Sequence, residues 1–121
     1  MFIGDTHREV ILEELDKLNF SSLLEVGCGS GENLARIEAR FGIKPVGIDK
    51  LLGNGDAYNI PYPDKSFDIV LVDAVLIYVP DFERALKEME RVARKCIIMS
   101  ELHAPWWLGW ILPKHYFHDY S

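Results

Sequence analysis

The chain has 121 residues, 49% of them hydrophobic, which is enough for one compact domain with its own core and too little for two. A formal net charge of -6 disfavours non-specific attraction to a phosphate backbone and sets nucleic acid aside as a partner. The most apolar late stretch, "PWWLGWILP" (Pro105 to Pro113), falls well short of the ~20 residues a membrane span requires. Cys28 and Cys96 lie far apart, and "MFIGDTHREV" turns polar too early for a secretory apolar region, so a reducing cytoplasm is expected.

In chain order, the reading is a single domain over 1–121: an N-terminal helix in 1–20, a binding core over 21–101 and an aromatic tail over 102–121. Thr6 and Glu9 have capping-box spacing, and Ile11, Leu12, Leu15 and Leu18 then share one helical face. "SLLEV" is a short apolar strand. Three glycines hand it over to a helix whose inward face carries Leu34, Ile37 and Phe41 and which Gly42 stops. "KPVGID" is a second strand ending in an acid. "FDIVLVD" is a third, apolar almost throughout, as strands buried on both faces of a parallel sheet are. Asp81 caps a helix with Phe82, Ala85, Leu86, Met89 and Val92 inward, and "KCIIMSE" is a fourth strand. Strands alternating with helices, without hairpin signals, define an α/β fold: a doubly wound, mostly parallel sheet of about four strands with helices on both faces.

In such sheets ligands bind beyond the carboxyl ends of the strands, where the first strand turns into its helix. Gly27, Gly29 and Gly31 fall at that turn, where missing Cβ atoms let a ligand lie on the main chain with amide N–H groups of the helix start facing it. The spacing is G-x-G-x-G, not the G-x-G-x-x-G of dinucleotide sites, and Glu25 precedes it with no basic residue inside the loop. A carboxylate there repels a pyrophosphate and attracts an ammonium or sulfonium. Asp49 ends the second strand about 20 residues later, where an acid accepts both hydroxyls of a ribose. With Asp56 and Asp73, four carboxylates surround a site suited to a cationic nucleoside.

"LLEVGCGSGENL" resembles motif I of the Rossmann-like (class I) S-adenosylmethionine-dependent methyltransferases, and "GDAYNIPYPDKSFDIVLVDAVLIYVPD" resembles their next block. The resemblance runs from about Leu23 to Glu101, closest to the type 11 methyltransferases. It implies S-adenosylmethionine as cofactor. It further implies that Glu25 bonds the methionyl ammonium and that Gly27, Cys28, Gly29 and Gly31 back the methionine part. Asp49, with Lys50 beside it, would hold the ribose; Asp56 and Ala57 would meet the adenine; Asp73 and Ala74 would face the methionine end. The chain departs from the family pattern in one respect: only "KLLGNG" separates Asp49 from Asp56, so one βα unit is missing. Gly53 and Gly55 permit a tight connection there, and Leu51 and Leu52 are expected to replace the missing wall against the adenine. The final antiparallel pair of the family is also absent, which leaves the strand around Ile97 and Ile98 as an edge that the tail, a second copy or a partner must cover.

The tail holds Trp106, Trp107 and Trp110, read first as completing a core or interface and second as an acceptor pocket. His103, His115 and His118 lack zinc spacing with any cysteine or acidic cluster, and no metal site is expected. The charges of "ERALKEMERVARK" read as a solvated face and "YPDKSFD" as a solvated turn. Methyl transfer from a sulfonium depends mainly on proximity and in-line orientation. No catalytic residue is assigned; Tyr78, His103 and Trp106 are the substrate-side candidates, with Tyr78 and His103 ahead of Asp73 as a base. Three functions stay open: a methyltransferase acting on a small-molecule acceptor, an inactive cofactor-binding or protein-interaction module, and a nicotinamide dinucleotide enzyme. A homodimer through the C-terminal edge and the tryptophans is a further expectation.

Overall fold

A computed structural model describes residues 3–73, 79–101 and 116–119. Helix α1 (Ile3–Asp16) leads into strand β1 (Leu23–Val26), helix α2 (Glu32–Phe41) and strand β2 (Val46–Ile48). A 3-10 turn at Lys50–Leu52, strand β3 (Phe67–Asp73), helix α3 (Phe82–Val92), strand β4 (Ala93–Glu101) and strand β5 (Tyr116–Asp119) complete the order. The strands form one sheet in the order β2-β1-β3-β4-β5, every neighbouring pair parallel. Helix α1 starts at Ile3, so Thr6 lies inside its first turns and the capping-box reading of Thr6 and Glu9 does not hold.

Strand periodicity explains why β3 is apolar at nearly every position. Leu23, Ile69, Leu71 and Ile98 meet Ile11, Leu12 and Leu15 of α1 and Ile37 of α2 on one face of the sheet. Leu24, Val70, Val72, Ile97 and Met99 alternate with them and meet Ala85, Leu86, Met89 and Val92 of α3 on the other. A strand clothed on both sides has no polar face to show. The result is the helix–sheet–helix layering expected for a Rossmann-like methyltransferase fold.

Two edges differ from expectation. The sheet has five strands, because Tyr116–Asp119 of the tail pairs with β4 from Ile98 to Glu101 and covers the edge that the sequence leaves open. The structure thus supplies one of the three covers considered, the chain's own tail. At the other edge the missing βα unit leaves β2 outermost, and a side chain stands in for a strand. Asn54 Oδ1 accepts from Asp49 N at 2.8 Å and its Nδ2 donates to Gly47 O at 3.1 Å, which occupies one donor and one acceptor of the bare edge. Asn54→Ala should therefore cost about 1 kcal/mol, the net value of such bonds where water can replace them. Urea denaturation checks this, and an unchanged midpoint would show that solvent serves the edge equally well.

Candidate functional site

Strand β1 is paired with β2 on one side and β3 on the other, so successive connections leave it in opposite directions and open a crevice beyond Val26, Ile48 and Asp73. The glycine loop fills the start of this crevice. Gly27, Gly29 and Gly31 take φ of 76°, 55° and 87°, values that L side chains rarely adopt, which is the local reason for alternate glycines. The loop is pressed against β2: a Cβ on Gly47 would lie 2.6 Å from Leu34 Cδ1 and 2.7 Å from Cys28 Sγ.

Four of the loop's amides are already engaged. Gly27 N and Cys28 N both donate to Ile48 O, at 2.7 and 3.1 Å, and Gly31 N donates to Cys28 O at 3.0 Å. Gly29 N donates to Asp49 Oδ2 at 2.8 Å. The expectation that N–H groups of this turn face the ligand is corrected for these four. A phosphate would find few free donors here and a carboxylate on either side, whereas a cation would find acceptors.

The crevice has two lobes that share Gly27 and Asp73. The larger, about 520 Å³, is lined by Asp49, Lys50, Leu51, Asp56, Ala57 and Tyr58, with Val79 and Pro80. The smaller, about 190 Å³, is lined by Arg8, Glu25, Cys28, Gly29, Ser30, Glu32 and Asn33. Of the predicted cofactor residues, Gly31 lines neither lobe and instead caps α2. Ala74, Tyr78, His103 and Trp106 lie outside the described residues, as do Trp107 and Trp110. Leu51 borders the large lobe while 94% exposed, an apolar wall; Leu52, 60% exposed, does not border it.

In the small lobe a side chain that the sequence reading passed over ties the acids together. Asn33 Nδ2 donates to Glu25 Oε2 at 3.0 Å and to Asp73 Oδ2 at 2.9 Å, and its Oδ1 accepts from Arg8 Nη1 at 2.9 Å. Asn33 is buried, one helical turn before Ile37 on the inward face of α2. Glu25 is 2% exposed, and its Oε1 accepts no hydrogen bond from the described residues. Burial, opposed by the Asn33 bond and reinforced by the charge on Asp73, raises its pKa to about 7. Burial and the nearby Glu25 and Asp49 charges likewise push the Cys28 thiol up, away from nucleophilic character.

The opposite end of the sheet gives the contrast. Asp68, equally buried, accepts from Ser21 N at 2.9 Å, Ser21 Oγ at 3.2 Å and Arg94 Nη1 at 2.9 Å, and the Ser21 backbone bond leads in holding its pKa below the usual range. A buried acid satisfied within the chain is a structural element. A buried acid left short of donors beside a cavity is a site for something else.

Helix α3 positions the far wall. Glu88 Oε2 accepts from Ile60 N at 2.8 Å, while Arg91 pairs with Glu88 and donates to Tyr62 O at 2.8 Å and Ile60 O at 2.9 Å. The Arg84 guanidinium lies over the Tyr58 ring, its Cζ 4.7 Å from the ring centroid, and the Tyr58 hydroxyl accepts from Asp81 N at 2.8 Å. These charges, read from the sequence as a solvated face, fix the loop that carries Asp56 and Ala57. Asp56 itself accepts from Tyr58 N at 2.8 Å, which closes that loop into a tight turn.

A family profile described as a methyltransferase domain matches residues 24–96, from the first strand to the middle of β4. The chain belongs to this methyltransferase-domain family, within the Rossmann-like class that uses S-adenosylmethionine. It is 31% identical over 106 residues to norajmaline N-methyltransferase of Rauvolfia serpentina, covering 68% of this chain and 36% of that protein. Among solved structures it resembles the [4+2]-cyclase SpnF, with a TM-score of 0.64 and 25% identity over 74% of this chain and 41% of that one. It also resembles a SAM-dependent methyltransferase from Aquifex aeolicus, with a TM-score of 0.59 and 24% identity over 73% of this chain and 58% of that one. The chain thus spans little more than a third of the curated relative.

Proposed function

We propose that this domain binds S-adenosylmethionine across the two lobes and transfers its methyl group to a small-molecule acceptor. The observation that carries the reading is the small lobe: a buried carboxylate, Glu25, with an oxygen left over, set beside a glycine loop whose glycine amides are engaged within the chain. A cationic amino-acid end satisfies that oxygen and an anion does not. Asp49 retains lone pairs for ribose hydroxyls beyond those used by Gly29 N and Leu51 N. Asp56 and Ala57 line the large lobe together with the apolar Leu51, which supports seating the adenine there. The donor brings a methyl group already activated on a sulfonium; the chain's part is to hold and orient it and to exclude water. The small-molecule acceptor is supported by the relative named for norajmaline.

A second reading, a domain that binds the nucleoside without transferring its methyl, is favoured by the similarity to a cyclase and by the short β2 to β3 connection. Titration calorimetry with S-adenosylmethionine, S-adenosylhomocysteine and NAD tests the proposal. Micromolar binding of the first two and none of NAD is expected, and the reverse would overturn it. Donor consumption across an acceptor library then separates transfer from binding alone. The cytoplasmic placement rests on two free cysteines, and pairing of two chains has lost its first motive, since β5 occupies the edge of β4.

A further inference from the structure

Between Leu52 and Phe67 the chain forms neither helix nor strand, and its only β pairing is the isolated bridge between Asp56 and Asn59. Yet this segment carries Asp56, Ala57 and Tyr58 into the large lobe. A loop so placed takes its geometry from a scaffold. Here the scaffold is one stripe of α3: Asp81, Arg84, Glu88 and Arg91 follow at spacings of three, four and three, which lines them up on one helical face. Asp81 and Arg84 hold Tyr58, and Glu88 and Arg91 hold the chain from Ile60 to Asp64. All five N–H groups of the Arg91 guanidinium are occupied: Nε donates to Glu88 Oε1 at 2.7 Å, Nη2 to Ile60 O at 2.9 Å and Glu88 Oε2 at 3.0 Å, and Nη1 to Tyr62 O at 2.8 Å and Asp64 Oδ1 at 3.0 Å. Glu88 Oε2 also accepts from Ile60 N, so both backbone polar groups of Ile60, itself buried, are served by α3 side chains as a neighbouring strand would serve them. Arg91 lines neither lobe.

We propose that Arg91, backed by Glu88, is the positioning residue for base recognition: by fixing Ile60 and Tyr62 it sets the turn that presents Asp56, and so decides how strongly the domain prefers a 6-aminopurine nucleoside to a 6-oxopurine one. This rests on the reading of the large lobe as the adenine site. Asp56 Oδ1 accepts from Tyr58 N at 2.8 Å, and the carboxylate keeps lone pairs for a further donor. An exocyclic amino group supplies that donor, whereas a 6-oxo group sets lone pairs against lone pairs and leaves the acid unsatisfied. Such discrimination depends on placement, because a hydrogen bond weakens steeply as donor and acceptor move out of line. Arg91→Lys keeps the charge but replaces a planar fork of five donors with three on one nitrogen, too few to reach Glu88, Ile60, Tyr62 and Asp64 together.

The test compares S-adenosylhomocysteine with S-inosylhomocysteine, which differ in the base alone, by calorimetry on the full chain. The parent should bind the first more tightly by on the order of a hundredfold, the penalty for leaving a polar group of the site unpaired. Arg91→Ala should bring that ratio down to within about threefold, chiefly by weakening S-adenosylhomocysteine, and Arg91→Lys should do nearly the same. Glu88→Gln keeps an acceptor for Ile60 N and should fall between the Arg91 variants and the parent. Because each ratio is internal to one variant, a partly unfolded preparation lowers both affinities without changing it. A ratio that survives in all three variants overturns the assignment, and so does loss of both ligands together in all three, which would make the stripe a support of the whole fold. If S-adenosylhomocysteine does not bind the parent, the cofactor reading fails; if both ligands bind the parent equally, that reading stands and the role given to Arg91 falls.

Discussion

Glu25→Gln is expected to make the unliganded domain more stable above pH 7 and, in the same protein, to weaken S-adenosylmethionine binding by about a hundredfold. Both effects come from one buried charge. The folded pKa of about 7 stands above the ordinary 4.5, so the folded state holds a proton that the unfolded chain has lost between these values. Stability from this group is therefore greatest at and below about pH 4.5, declines as pH rises through the window, and is lowest above 7. The cost at pH 8 amounts to about 3 kcal/mol, given 1.36 kcal/mol for each pH unit. Glutamine removes the cost: its oxygen keeps the Asn33 bond and no charge is buried. Thermal melts at pH 5.5 and pH 8 check this, with the variant gaining several degrees over the parent at pH 8 and little at pH 5.5. Coincident melts at pH 8 would mean the carboxylate is not strained.

Binding should mirror this. A ligand ammonium needs the ionised carboxylate, so parent affinity should rise as pH increases through about 7, with proton release on binding, while Glu25→Gln loses that dependence. Affinity for 5′-methylthioadenosine, which carries no ammonium, should not follow the same curve.

Asp49→Ala is the second large effect, and it should differ in kind. Asp49 Oδ2 accepts from Gly29 N and Oδ1 from Leu51 N, both at 2.8 Å, so one carboxylate fastens the glycine loop to the 3-10 turn and keeps lone pairs over for the ribose of the proposed cofactor. Removing it should weaken S-adenosylmethionine by about a hundredfold or more and cost about 1 kcal/mol of stability through the lost cap. Unlike Glu25→Gln, it should weaken 5′-methylthioadenosine to the same degree, because the ribose is common to both ligands. Asp49→Asn, which keeps one acceptor, should fall between. Unchanged calorimetric affinity in Asp49→Ala would dismiss the ribose assignment.

Much of this was readable from residue order because the core repeats are strong. Strand β3 is the stretch "FDIVLVD" residue for residue, and Asp81 caps α3 through Arg84 N as its sequence implies. The acids Glu25, Asp49 and Asp73 reach the crevice because they lie in or next to strands whose ends are fixed by topology, which periodicity reveals, whereas Asp56 sits in a loop held by α3. What periodicity hides is a polar side chain on an apolar stripe. Asn33 could have been found, since Asn33, Ile37 and Phe41 recur every four residues, which puts the amide on the buried face of α2. Arg8 had no such signal: on the polar flank of an amphipathic helix an arginine reads as solvated, and only the packing of α1 over α2 brings it to the lobe. Glu88 and Arg91 were misread for a related reason, because the loop they hold is separated from them by the whole of β3. Strand β5 is four residues long, too short for alternation to announce it.

The amide of Asn54 at the β2 edge has a consequence for how such domains vary in length. Asp49 and Asp56 face the same cavity from either side of the turn that Asn54 closes, so the two acids are placed by their own strand end and by α3, not by whatever chain runs between them. That turn is therefore a joint at which a whole strand-and-helix module can be spliced in or left out, with one carboxamide as the plug that seals the socket.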